Sequence, residues 1–162
     1  MNMKSGCLPA FLFIMEKFKE KILKIIKSGD FSKYHILEVN VDQNTGYIKI
    51  IIDSEKRVSL SDTAKISRLL TNDAAIDSLF PNGYKLEVSS PGINKPLEFP
   101  FQYIKNIGQD INISLIDKPE FVKQNATIIS ANQEFVVLNI KNQKLQVSYD
   151  NIRNAKLNIS FN

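Results

Sequence analysis

Ser89 and Ser90 are the residues that first invite a chemical reading. They close an alternating run and precede Pro91-Gly92, so both hydroxyls fall on a tight turn at the end of a strand. That is the setting of a nucleophile elbow, but the G-x-S-x-G pattern of an elbow is absent. A serine nucleophile also needs a base. His35 is the only histidine, and its position in the chain ties it to neither serine. Cys7 is the only cysteine, so a His/Cys metal set is not encoded. Asp42 and Asp53 flank a hairpin, where a solvated hairpin end accounts for them better than a metal pair. There is no P-loop, no G-x-G-x-x-G and no paired-cysteine motif, and Gly92-Ile93-Asn94-Lys95 is not the G-x-x-G clamp of a KH domain. The residues predict no catalytic constellation, no enzyme, no cofactor and no metal.

What the same stretch offers is recognition. Tyr84, Leu86 and Val88 alternate with Lys85, Glu87 and Ser89, the two-residue period of a half-buried strand. Ser89-Ser90-Pro91-Gly92 then stops it: proline pre-sets φ, glycine accepts φ > 0, and the hydroxyls can bond nearby backbone N–H groups. Pro96 and Pro100 keep the chain extended or kinked. A rigid polar loop delivered by a strand presents a recognition surface. It serves equally as a stiff crossing between domains, and the residues alone leave both readings open. Read as a docking surface, the segment comprises Ser89, Ser90, Pro91, Gly92, Asn94, Lys95, Pro96 and Leu97. In it Gly92 serves backbone conformation through φ > 0 and Lys95 serves contact; as a crossing, Lys95 pairs instead with an acid such as Glu98.

Leu86-Glu87-Val88-Ser89-Ser90-Pro91-Gly92, a short basic step and then Pro96-Leu97 resemble the signature of the bacterial ribosome maturation factor RimP family. Residues 59–70 (S-L-S-D-T-A-K-I-S-R-L-L) resemble the family's second-helix region, so the resemblance covers most of residues 15–97, and Ile152, Ala155 and Leu157 resemble its closing strand. The family usually carries an acid and an arginine where this chain has Asn94 and Lys95, which keeps the cation and loses a bidentate contact. The resemblance implies a non-enzymatic, cytoplasmic assembly factor for the small ribosomal subunit, monomeric and without cofactor. Its implied partner is a small-subunit ribosomal protein near the decoding region, with 16S ribosomal RNA in the neighbourhood. A stand-alone RNA-binding module is the alternative, and it would lose affinity steeply with salt.

Elements that position the segment can be read on either side of it. The chain has 162 residues, 43% hydrophobic and 23% charged, room for one medium domain or two small ones of ordinary soluble composition. Its net charge is +4, spread as 13 Lys+Arg against 11 Asp+Glu over residues 15–97 and 7 against 6 over residues 98–162. No stretch is a basic tail or stripe, so a grip on phosphates could come only from a patch made by folding. A single cysteine suits a reducing cytoplasm. After Lys4 the apolar run over residues 7–15 is too short to span a bilayer and no small-residue cleavage site follows it. Residues 1–14 therefore read as a dispensable extension, and no membrane partner is predicted.

Met15, Phe18, Ile22, Ile25 and Ile26 predict a helix over residues 15–27, ended by Ser28-Gly29-Asp30. A hairpin follows, with His35, Leu37, Val39 and Val41 on one face, a turn at residues 43–46 and a return strand over residues 47–53. Ser59 with Asp62 resembles a capping box ahead of a second helix, and the strand at Tyr84 completes the order helix, hairpin, helix, strand. Beyond Pro100, residues 101–106 predict one helical turn and Gly108 the opening of a barrel. Five short strands are then predicted at Ile111/Ile113/Leu115 and over residues 121–130, 134–140, 144–148 and 156–161. The predicted fold class is α+β: an α/β layer domain over residues 15–97, then a small closed β-barrel over residues 98–162, SH3-like by the resemblance.

Overall fold

Phe18, Ile22 and Ile26 take the helical spacing read from the sequence and are buried along α1 (Cys7–Lys27), while Glu16, Lys17, Lys19, Glu20 and Lys24 stay exposed. The helix starts at Cys7 rather than Met15. The computed structural model describes residues 7–27, 31–42, 44–92 and 94–158, and the chain divides into two compact units, Met1–Ser90 and Pro91–Asn162. The expected helix stop at Ser28-Gly29-Asp30 lies outside the described residues.

In the first unit β1 (Tyr34–Asp42) and β2 (Tyr47–Ser54) form the expected antiparallel hairpin. Its register slips between Ile36 and Glu38, leaving Leu37 as an extra residue on β1. The slip corrects the expected face. Tyr34 and Ile36, not His35 and Leu37, join Val39 and Val41 against the core of Ile48, Ile50 and Ile52. At the turn, the Asp42 carboxylate accepts the Asn44 N–H at 2.9 Å and the Thr45 hydroxyl at 2.8 Å, and Gly46 sits at φ +66°. A Cβ on Gly46 would lie 3.0 Å from the Gly83 carbonyl oxygen.

Helix α2 (Leu60–Thr71) opens on a full capping box. Ser59 Oγ accepts the Asp62 N–H, and the Asp62 carboxylate accepts the Ser59 N–H. Its buried Ile66 and Leu70 meet the Phe18–Ile22 face of α1, and the short α3 (Ala74–Asp77) adds Ile76. The chain then returns as β3 (Lys85–Ser89), parallel to β2, in a sheet of order β1-β2-β3. A parallel neighbour needs a crossover, and α2 with α3 supplies it.

The second unit begins with α4 (Pro100–Ile104), whose buried Gln102 side chain accepts the N–H groups of Glu98 and Phe99 at 2.8 and 3.1 Å. Gly108, at φ +86°, leads into β4 (Asp110–Leu115). There follow β5 (Gln124–Ala131), β6 (Phe135–Ile140), β7 (Gln143–Ser148) and β8 (Ile152–Leu157), all antiparallel, in the order β7-β6-β5-β4-β8. A one-turn 3-10 helix at Pro119–Phe121 delays β5 past its expected start. Another, at Tyr149–Asn151, turns the chain so that Ile152 already pairs with Leu115; the last strand thus begins before the expected Lys156, whose predicted end lies outside the described residues. Among the described residues no ladder joins β7 to β8. Ile111, Ile113, Ile128, Val136, Leu138 and Ala155 centre this unit's core. No described helix is long and apolar enough to cross a membrane.

Candidate functional site

The parallel ladder sets where the segment of residues 89–97 begins. Ser89 is the last residue of β3, half-buried and paired with Ile51 of β2. Two residues earlier, Glu87 accepts a hydrogen bond from the Tyr47 hydroxyl and an ion pair from Lys49, 3.2 Å away. The tyrosine bond first and the lysine second hold the Glu87 carboxyl below its usual range, and the carboxylate in turn raises the Tyr47 hydroxyl. The glutamate of L-E-V-S-S-P-G thus ties β3 to β2.

Ser90 is exposed and closes the first unit; Pro91, half-buried, opens the second. The Lys95 N–H donates to the Gly92 carbonyl at 2.9 Å, closing a turn on which Asn94 is exposed and Lys95 half-buried. Gly92 is the first residue of that turn, the position whose φ the turn does not set. The expected positive φ is absent: Gly92 lies outside the left-handed region, and an added Cβ would meet no atom within 4 Å. Pro96 is half-buried. Leu97 is 8% exposed and belongs to the second core, its N–H donating to Ala155 O at 2.8 Å and its carbonyl accepting the Tyr103 hydroxyl at 3.0 Å. Burial raises that hydroxyl's pKa. Of the residues read as a docking surface, Ser89 and Leu97 are therefore taken up by the fold. Ser90, Gly92 and Asn94 face outward, and Ile93 lies outside the described residues. Among the described residues no three His, Cys, Asp or Glu side chains gather to hold a metal.

A second feature, within the first unit, was not visible in the linear charge pattern. The hairpin pairs Tyr34 with Ser54, so Lys33, just before β1, and Lys56 and Arg57, just after β2, reach the same open end. They line a cleft of about 500 Å³ with Tyr34, Glu55 and Asp62. Asp62 is already engaged. Its carboxylate accepts the Ser59 N–H at 2.9 Å, the Ser59 hydroxyl at 2.8 Å and the Tyr34 hydroxyl, and these bonds, the backbone one largest, pull its pKa down to about 2. The Lys33 ammonium lies 5.2 Å from the centroid of the Tyr34 ring. Among the described residues neither Lys56 nor Arg57 forms an ion pair. A whole hairpin separates Lys33 from Lys56 in the chain, and only the register, Tyr34 to Ser54, could have brought them together on paper.

Residues 22–94 match the family model described as the RimP N-terminal domain. The match starts inside α1, takes in the hairpin, the crossover helices and β3, and ends at Asn94, so the sheet of the second unit lies outside it.

Proposed function

Through residues 22–94 the chain belongs to the RimP family of ribosome maturation factors, and from that premise we propose a non-enzymatic assembly factor that docks on the maturing small ribosomal subunit. One observation carries the reading: the family's signature string is anchored at both ends in the fold, yet its middle, Gly92 and Asn94, is exposed on a closed turn. A short, conformationally restricted turn loses little freedom on binding. The partner is a small-subunit ribosomal protein near the decoding region with 16S ribosomal RNA beside it, and the factor works in the cytoplasm as a monomer. Binding energy holds a protein–RNA intermediate, and release follows when the mature surface no longer fits. In this reading the second unit is an SH3-like barrel, supported by its five antiparallel strands and the 3-10 turn between β7 and β8. The α/β and barrel domains meet in the crossing between Ser90 and Glu98.

The test is Lys95→Glu beside Asn94→Glu at the exposed position, each scored by thermal midpoint and by co-sedimentation with immature small subunits. Both variants are expected to keep the midpoint and to weaken co-sedimentation several-fold. Unchanged co-sedimentation in both would leave the segment a spacer. A salt series on the wild type separates protein docking from a stand-alone RNA module, which would release steeply as salt rises.

A further inference from the structure

We propose that the cleft at the open end of the β1–β2 hairpin binds the phosphodiester backbone of RNA. Lys33, Lys56 and Arg57 face a solvent-open space of about 500 Å³. Of the two carboxylates there, Asp62 is turned to its donors from Ser59 and Tyr34, which leaves Glu55 as the one anion among the lining residues without such partners. Three cations against two carboxylates leave a local excess of one positive charge, and neither Lys56 nor Arg57 is held in an ion pair among the described residues. Arg57 offers a planar fork matched to phosphate oxygens, and the two lysines offer point charges on flexible stems. Of the two rings that line it, Tyr34 is buried and His35 is exposed, and no glycine-rich loop cradles a nucleotide. Such a site grips a charged strand by counterion release, a contribution that does not depend on sequence. The identity of the polymer rests on the ribosomal reading above; the site itself stands on the hairpin register and the charges.

The experiment measures binding of a labelled single-stranded oligouridine to the full chain over a salt series. The pair Lys56→Ala with Arg57→Ala is expected to flatten the slope of log K against log salt by about 1.4, two phosphate contacts at about 0.7 each for single strands. Lys56→Gln with Arg57→Gln, which keeps side-chain length, carries the same expectation should the alanine pair disturb folding. A control pair in the second unit, Lys144→Ala with Lys156→Ala, is expected to change the slope far less. Equal flattening by the control overturns the cleft as a site, since net charge alone would then be acting. Competition by inorganic phosphate at matched phosphate concentration, or by polyglutamate at matched charge, as effective as unlabelled RNA overturns the backbone assignment in favour of a small anion or an acidic peptide. Co-sedimentation with immature subunits is read in parallel. Lost discrimination at the cleft with co-sedimentation intact overturns this proposal alone, whereas a wild type that does not co-sediment overturns the ribosomal reading whatever the cleft binds.

Discussion

At Gly46 the chain turns with φ +66°, and the Gly83 carbonyl sits 3.0 Å from where a Cβ would be; the Gly46 carbonyl in turn accepts the Lys85 N–H at 3.0 Å as β3 begins. At Gly92 φ lies outside the left-handed region and a Cβ would meet nothing within 4 Å. The first glycine belongs to an ordinary Asn-Thr-Gly hairpin turn, the second to the most specific string in the chain. The unremarkable glycine is the one the fold requires. In the proposed function, a glycine that the fold does not require is where a partner's backbone would come close, since a missing side chain permits such an approach.

The sharpest way to break this contrast is at the anchored end of the segment. Leu97→Ala is expected to cost about 2–4 kcal/mol, read by urea denaturation, with hydrogen-exchange protection lost in β4 and β8; it truncates a side chain in the second core. A loss under about 1 kcal/mol would make Leu97 part of a surface instead. It also bears on where the domains part, because a fragment starting at Pro91 should then outlast one starting at Glu98.

Next comes the hairpin. Gly46→Ala forces a side chain into the left-handed region and against Gly83, and should cost about 1–3 kcal/mol. Indifference there would remove the contrast from its other side. A smaller effect is expected at Asp62, which caps the crossover between hairpin and β3. Its pKa falls from the usual 3.8 to about 2 in the folded chain, so its stabilisation is complete above the usual value and is lost as pH drops towards 2. The gap in urea midpoint between wild type and Asp62→Asn should therefore shrink between pH 4 and pH 2; a gap that stays constant refutes the assignment. Smallest of all is Gly92→Ala, expected to change stability by no more than about 0.5 kcal/mol while weakening co-sedimentation with immature subunits. Destabilisation by the substitution would return Gly92 to the role first read for it.

Where local rules act, the sequence was legible. The Ser59–Asp62 capping box, the Asn-Thr-Gly hairpin turn and the alternation of β4 to β7 need only neighbours along the chain. What escaped depended on distant partners. No residue type marks Leu37 as an extra residue, and the slip there is decided by which faces of β1 and β2 can bury isoleucine together. The parallel pairing of β3 with β2 spans the whole α2–α3 crossover, and the basic cleft exists only once the hairpin register is known. The candidate segment was legible as a string but not as a division of labour. Nothing in L-E-V-S-S-P-G-I-N-K-P-L says that Glu87 is held by Tyr47 and Lys49, or that Leu97 fills a core.

The extra residue at Leu37 also bears on how this hairpin tolerates changes in length. On one side of it Ile36 faces Ile52, and on the other Glu38 faces Ile51, so the partners across the ladder are already consecutive. Deleting Leu37 would leave an uninterrupted ladder in which every remaining residue of β1 keeps its partner and its face. Deleting Ile36 or Glu38 instead would let Leu37 fill the vacated place in the ladder, whereas deleting a residue farther along, such as Val41, would shift the residues between it and the bulge by one and turn their faces over. The hairpin can therefore shorten at the bulge without rewriting its interior.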